Sequence, residues 1–168
     1  MEILECLIHF MHQWIYGGDD MSNSKLRIVK VMPNKNPEVC EIERGLKDLQ
    51  EIVDGTIQCI YPFDDDVGLV CNDDGKLLGL PYNRALFYDW DKTEMYQEID
   101  GKQYVPIDDI YDVIVGTFFI CRTPADSDKF ESLTDEQVNK YLTLFARKET
   151  LAKDMFTNQL FIVRERGD

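Results

Sequence analysis

The chain has 168 residues and a mass of 19.6 kDa, which fits one domain with a core of ordinary size. Its 44% hydrophobic content excludes general disorder, and five widely spaced Cys without a Cys-x-x-Cys pair disfavour a disulfide framework or zinc site. The formal net charge of −14 disfavours direct contact with nucleic acid or an anionic membrane. We therefore expect a cytoplasmic protein whose acidity serves either a basic partner or solubility alone.

The first segment places apolar side chains at helical spacing, at Ile3, Leu4, Leu7, Ile8, Met11 and Ile15. We predict an amphipathic helical extension over residues 1–20, too short and too polar to span a membrane. It lacks the basic start and cleavage site of a signal peptide. Residues 21–168 are predicted to form a single domain, and Met21 leaves open whether the extension is made in the cell.

Apolar and β-branched residues predict four strands in the first half of the chain, at residues 25–32, 39–42, 56–61 and 67–72. Residues 45–53 have helical spacing, and Gly55 suits a left-handed helix stop. Asp73-Asp74-Gly75 is a turn signal, which predicts that residues 77–80 pair back in a hairpin.

In the second half, residues 87–107 are predicted to form a hairpin insertion that turns at Asp100-Gly101. Further elements are predicted as one helical turn (110–115), a buried central strand (116–121), a helix opened by a Thr134–Gln137 capping box, a short tail helix after Leu151, and a last strand (160–163). The fold class is α+β, with a mixed, mostly antiparallel sheet and two or three helices on one face.

A resemblance is carried by the motifs Ile57–Phe63, Val70–Asn72, Gly75–Pro81, Asn83–Leu86, Asp112–Cys121 and Ser132–Gln137. Over residues 25–145 the chain resembles a domain-of-unknown-function family (number thirty-eight forty-six). The resemblance implies a context on phages, plasmids and conjugative elements of Gram-positive bacteria, and it brings no established activity. The 1–20 extension, the 87–107 insertion and the tail after Arg147 depart from the family's pattern.

Asn83 and Arg84 follow Pro81, which favours a strand end where side chains converge on a ligand. The planar guanidinium of Arg84 suits phosphate or carboxylate. A ligand-binding pocket is predicted from Tyr61, Phe63, Asn72, Asn83 and Arg84. The alternative is a structural role, in which Arg84 bridges Asp64 or Asp112.

Between Asp54 and Asp112 the chain has 14 acidic and four basic residues. The predicted partner surface comprises Asp64, Asp65, Asp66, Asp73, Asp74, Asp89 and Asp91. Two of its acidic runs flank one predicted strand, so they should not share a metal site. We find no catalytic motif and predict no catalytic residue, metal ligand or cofactor.

Two functional hypotheses follow. The first is a non-enzymatic accessory protein of a mobile genetic element or phage that binds a basic host protein through its acidic surface, as a DNA mimic or anti-defence factor. The alternative is a protein that sequesters a small anion or nucleotide in the Asn83–Arg84 pocket. The sequence predicts no oligomeric state.

Overall fold

The computed structural model describes residues 25–167, so the predicted helix of residues 1–20 lies outside the described residues. The described strands are β1 (Lys25–Val31), β2 (Glu38–Glu43), β3 (Ile57–Ile60), β4 (Val67–Asn72), β5 (Tyr82–Phe87), β6 (Glu98–Ile99), β7 (Lys102–Pro106), β8 (Ile110–Val115), β9 (Phe118–Arg122), β10 (Lys148–Lys153) and β11 (Leu160–Glu165). The described helices are α1 (Leu46–Val53), α2 (Trp90–Thr93), α3 (Asp135–Leu144) and a 3-10 turn (Ile107–Asp109). None of these helices is long and apolar enough to cross a membrane.

A five-stranded main sheet has the order β2-β1-β9-β4-β3, and each neighbouring pair is antiparallel. The α+β class with antiparallel pairing is thereby confirmed. β9 occupies the middle of the sheet, as predicted from the apolar run before Arg122. Its first residues are buried on both faces.

The main sheet buries both of its faces because alternate residues of its inner strands point to opposite sides. On β1, Leu26 packs in one core with Leu49 of α1, whereas Val29 packs in another with Val138 of α3. The two longer helices therefore cover opposite faces, where the sequence predicted one face. The apolar pattern of the inner strands requires a cover on each side.

Two smaller sheets lie beyond the α3 side of the main sheet. β5 and β8 form an antiparallel pair, and the four-stranded tail sheet has the order β10-β11-β7-β6. Ala85 of β5 packs against Val105 of β7 and Ile162 of β11 in a third core. Strands β6 and β7 and the chain's tail, far apart in sequence, thus build one sheet.

Three element predictions are wrong. Residues 77–80 form a loop, because β3 and β9 already occupy both sides of β4 and Gly79 has a left-handed φ of +66°. Residues 110–115 form strand β8, paired with β5, where a helical turn was predicted. The predicted tail helix is replaced by the β10–β11 hairpin, although the last predicted strand is present as β11.

The sequence signals for helix ends agree more closely with the structure. Gln137 N donates to Thr134 Oγ1 at 3.2 Å, and Thr134 N donates to Gln137 Oε1 at 3.1 Å, so the predicted capping box of α3 is present. At the end of α1 the left-handed residue is Asp54 (φ 57°, ψ 47°), one position before the predicted Gly55.

Candidate functional site

Asn83 and Arg84, the pair expected to bind an anion, lie in β5 and are both 0% exposed. Asn83 Nδ2 donates to Val31 O at 2.9 Å and to Gly116 O at 2.7 Å. Its Oδ1 accepts a hydrogen bond from Arg84 Nη1 at 2.9 Å. Asn83 therefore ties β5 to the end of β1 and to the turn before β9.

The Arg84 guanidinium is surrounded by oxygen atoms of the protein. Nε and Nη2 donate to Phe145 O at 3.3 and 3.1 Å, Nη2 also donates to Lys35 O at 2.9 Å, and Nη1 donates to Asn83 O at 3.0 Å. With the Asn83 side chain, this makes five hydrogen bonds for a group that has five N–H donors. Arg84 therefore has no donor left for a ligand.

Arg84 also makes no ion pair with either carboxylate named in the structural alternative. Asp112 pairs with Lys76 at 2.6 Å, and Asp64 is exposed. Burial lowers the pKa of Arg84, and the negative charge of Glu149 opposes that shift. The role of Arg84 is structural, but its partners are backbone carbonyl groups and an amide oxygen.

The other predicted pocket residues are divided between the two sides of the main sheet. Asn72 is 6% exposed, and its amide nitrogen donates to carbonyl oxygens at the end of α1 at 2.9 and 3.2 Å. Tyr61 lies on the same side, beside Gly68. Phe63 packs on the opposite side against Tyr141, with ring centroids 5.1 Å apart. The structure therefore does not bring the five predicted pocket residues together.

Asp65 and Asp66 lie in the predicted partner surface, but both stabilise the fold. Asp66 accepts a hydrogen bond from Arg122 Nε at 2.7 Å. Burial favours the protonated form of Asp65, yet the hydrogen bonds that it accepts hold its pKa below its usual value. The donors to Asp65 are the side chains of Tyr141, Gln137 and Lys140 and the backbone N–H of Asp66.

Five predicted acidic residues are exposed and have no basic side chain within ion-pair distance among residues 25–167, namely Asp64, Asp73, Asp74, Asp89 and Asp91. The ring centroids of Phe63 and Trp90 are 6.1 Å apart, and we call the aspartates next to these two residues in the chain, Asp64, Asp89 and Asp91, the first cluster. Asp73 and Asp74 form the second cluster, at the other end of β4. Six strand residues span about 20 Å. The prediction that the two acidic runs flank one strand is confirmed.

The second cluster opens an ordered loop, which we call the 73–79 loop (Asp73–Gly79). Asp74 N donates to Asn72 Oδ1, Leu78 N donates to Asp74 O, and the ion pair of Lys76 holds the loop to β8. The side chain of Leu77 is 89% exposed and that of Leu78 is 63% exposed. Sequence reasoning missed the exposure of Leu77 and Leu78 because it placed both residues in a strand. The flanking Gly75 and Gly79 were the available signal for a loop.

Sequence reasoning also missed a buried ion pair within the tail sheet, formed by Glu149 of β10 and Arg164 of β11 and bonded to β5. Glu149 accepts hydrogen bonds from Arg164 Nε at 3.1 Å, Tyr82 OH at 2.8 Å and Ala85 N at 2.6 Å. Burial raises the pKa of Glu149, while the charge of Arg164 opposes the shift. No local sequence signal could have identified this network, because Glu149, Arg164 and the two β5 donors lie on three different strands.

Among the described residues, no group of three or more His, Cys, Asp or Glu side chains could hold a metal ion. No curated protein and no solved structure matches the chain. The family described as "Domain of unknown function (DUF3846)" matches residues 26–146, which is well over half of the sequence. The match includes the 73–79 loop, β5 and α3. The chain therefore belongs to the DUF3846 family.

Proposed function

We propose that the protein is a non-enzymatic accessory protein of a mobile genetic element or phage, and that it acts by binding a host protein with a basic surface. One observation carries the proposal. The five exposed aspartates Asp64, Asp73, Asp74, Asp89 and Asp91 lack basic partners within residues 25–167, on a chain with a formal net charge of −14. Such carboxylates create a negative potential that attracts and orients a basic partner.

The second acidic cluster adds an apolar anchor to this charge. Interfaces commonly place apolar side chains at the centre and polar groups at the rim. Leu77 and Leu78 project from the 73–79 loop beside Asp73 and Asp74. The loop is held by its own hydrogen bonds, so little conformational entropy is lost when it binds. We place the centre of the interface at this loop.

The spacing of the charges favours an anti-defence role by protein docking over charge-for-charge imitation of DNA. Duplex DNA presents one negative charge per about 1.7 Å of axis. Along the chain, Asp64 and the Asp73–Asp74 pair lie on either side of β4, whose six residues span about 20 Å. The alternative of a nucleotide pocket has no comparable support, because all five Arg84 donors are used inside the protein.

The test compares tagged protein with two neutralised variants, each produced in the native host. Asp73→Asn/Asp74→Asn removes the second cluster, and Asp64→Asn/Asp89→Asn/Asp91→Asn removes the first. Asn at position 89 still caps α2, so the second variant is a matched control for the fold. We expect wild type to retain a basic protein at low salt and to release it at high salt. The Asp73→Asn/Asp74→Asn variant should not retain it.

Retention of the same proteins by wild type and both variants would contradict the proposal. So would the release of a small anion from denatured wild-type protein in equimolar amount.

A further inference from the structure

The outer edge of the main sheet carries backbone groups that no other strand of residues 25–167 uses. β2 is the first strand in the order β2-β1-β9-β4-β3, so β1 is its one neighbour in the described sheet. It has six residues, whereas β3 at the opposite edge has four. An exposed edge strand is a template for another extended chain.

The hydrogen bonds of Arg27 identify which β2 residues face outward. Arg27 N donates to Ser132 Oγ at 3.0 Å, and Arg27 O accepts from Leu133 N at 3.0 Å. Both backbone groups of Arg27 therefore point away from β2. Arg27 lies opposite Glu41. Opposite residues in an antiparallel pair exchange either both hydrogen bonds or neither, so the N–H and C=O of Glu41 point to the free edge.

The two-residue period of a strand extends this result to Val39 and Glu43. All three residues are exposed. Cys40 and Ile42, between them, pack against the core on the α1 side. The β2 edge, defined as the outward backbone groups of Val39, Glu41 and Glu43, is thus held in place by a half-buried apolar face.

The side chains of the β2 edge determine the charge of the chain that fits there. Arg27, which lies opposite Glu41, pairs with Asp135 at 2.5 Å, so Glu41 has no basic partner among the described residues. Glu43 also has none in that part of the chain. Glu38 is already paired with Lys30 at 2.6 Å. Two unpaired carboxylates therefore lie on alternate residues of the edge.

Charge also disfavours a second copy centred on this edge. An antiparallel β2–β2 pair about Glu41 would place Glu41 opposite its own counterpart, and like charges directly opposite are destabilising. A strand with Lys or Arg at alternate positions would instead place a positive charge opposite each carboxylate. Each such cross-strand pair contributes about 0.2–1 kcal/mol relative to Ala–Ala.

We propose that the β2 edge binds an extended basic segment of a partner protein, which adds to the main sheet as a sixth strand. Backbone hydrogen bonds to Glu41 and its alternate neighbours hold the segment, and alternate Lys or Arg side chains give specificity. For the partner's charge the inference rests on the proposed function. Its binding site is separate from both acidic clusters.

The probe is a short synthetic peptide in which Lys alternates with Val. Binding is measured by calorimetry, and amide hydrogen exchange of Glu41 and Glu43 is measured by NMR. Glu41→Pro removes the outward N–H without removing a hydrogen bond to β1, and we expect it to weaken binding at least about tenfold. Glu41→Gln keeps the N–H, and we expect peptide affinity to fall only a few-fold. In wild type, the amides of Glu41 and Glu43 should become protected from exchange when the peptide binds.

Two further variants keep the test decisive. Glu41→Lys/Glu43→Lys leaves the backbone groups unchanged and should also weaken binding at least about tenfold, even if the proline variant does not fold. Asp73→Asn/Asp74→Asn should bind the peptide as wild type does. Unchanged peptide binding by Glu41→Lys/Glu43→Lys, or loss of peptide binding by Asp73→Asn/Asp74→Asn, overturns the proposed binding at the β2 edge. Either outcome leaves the proposed function intact. Failure of wild type to bind the peptide also overturns the β2-edge proposal. The acidic clusters are tested separately, by the retention experiment.

Discussion

Arg84 and the 73–79 loop are close in sequence and opposite in environment. Arg84 carries a charge, is 0% exposed and uses all five donors inside the protein. Leu77 and Leu78 are apolar and project into solvent from an ordered loop. From residue type alone, Arg84 would be expected in solvent and Leu77 and Leu78 in the core. The difference teaches that a charged residue can be a structural centre, and that exposed apolar residues indicate where a partner binds.

The largest effect is expected from Arg84→Met. The substitution leaves the carbonyl oxygen of Phe145 and the Oδ1 of Asn83 buried without the Arg84 donors, and we expect a loss of about 4 kcal/mol in the free energy of unfolding. Arg84→Lys, with fewer and differently placed donors, should lose less. Urea denaturation measures both. A near-neutral Arg84→Met would mean that this residue is not the structural centre, and would reopen the pocket hypothesis.

Arg164→Met tests whether a buried arginine with a charged partner behaves like Arg84. It leaves Glu149, which is 3% exposed, without its counter-ion, and we expect a loss of about 3 kcal/mol. The double variant Arg164→Met/Glu149→Gln should recover part of that loss, because no uncompensated charge remains. Equal stability of the single and double variants in urea denaturation would contradict the buried-charge explanation.

Asp65→Asn tests the acidic run at the start of β4, which sequence reasoning assigned to the partner surface. Because its hydrogen bonds hold the pKa of Asp65 below its usual value, the ionised carboxylate stabilises the folded state above its unfolded pKa of about 4. This contribution is lost as pH falls through the folded pKa. We expect Asp65→Asn to cost about 1–2 kcal/mol at neutral pH, and the difference from wild type to shrink in acid. Thermal unfolding across pH measures this. A difference that does not change with pH would contradict it.

The smallest effect on stability is expected from Leu77→Ser/Leu78→Ser, within about 0.5 kcal/mol, because both side chains are exposed. The same variant should lose the partner retained by wild type. Leu151→Ser, at a residue 41% exposed in the tail sheet, is the control and should keep it. A Leu77→Ser/Leu78→Ser variant that is clearly less stable than wild type, or that still retains the partner as wild type does, would remove the contrast between the loop and Arg84.

The features predicted correctly from sequence depend on neighbours within the same segment. The capping box of Thr134 and Gln137 acts within one helical turn, and the β1–β2 hairpin joins adjacent segments. The wrong predictions concern residues whose structure depends on distant partners. Residues 110–115 became a strand because β5 lies beside them, and residues 77–80 did not because β4 has two other neighbours.

The same reason explains the outcome for the candidate site. The sequence shows that Arg84 is an isolated arginine in an acidic region, but not that Phe145 and Lys35 would direct their carbonyl oxygens toward it. It also places Tyr61 and Phe63 two residues apart without showing that they lie on opposite sides of the sheet. The acidic runs were separable because one strand lies between them, and strand length follows directly from sequence.

The tail sheet has a consequence for where the protein can be divided. The family match ends at residue 146, whereas β10 and β11 begin after it and cover Ala85 and Phe87 of β5. A chain cut at the match boundary would expose that apolar surface and remove from β7 its main partner strand. The minimal autonomous folding unit is therefore longer than the stretch that identifies the family, and a fragment chosen by family boundaries would be prone to aggregation.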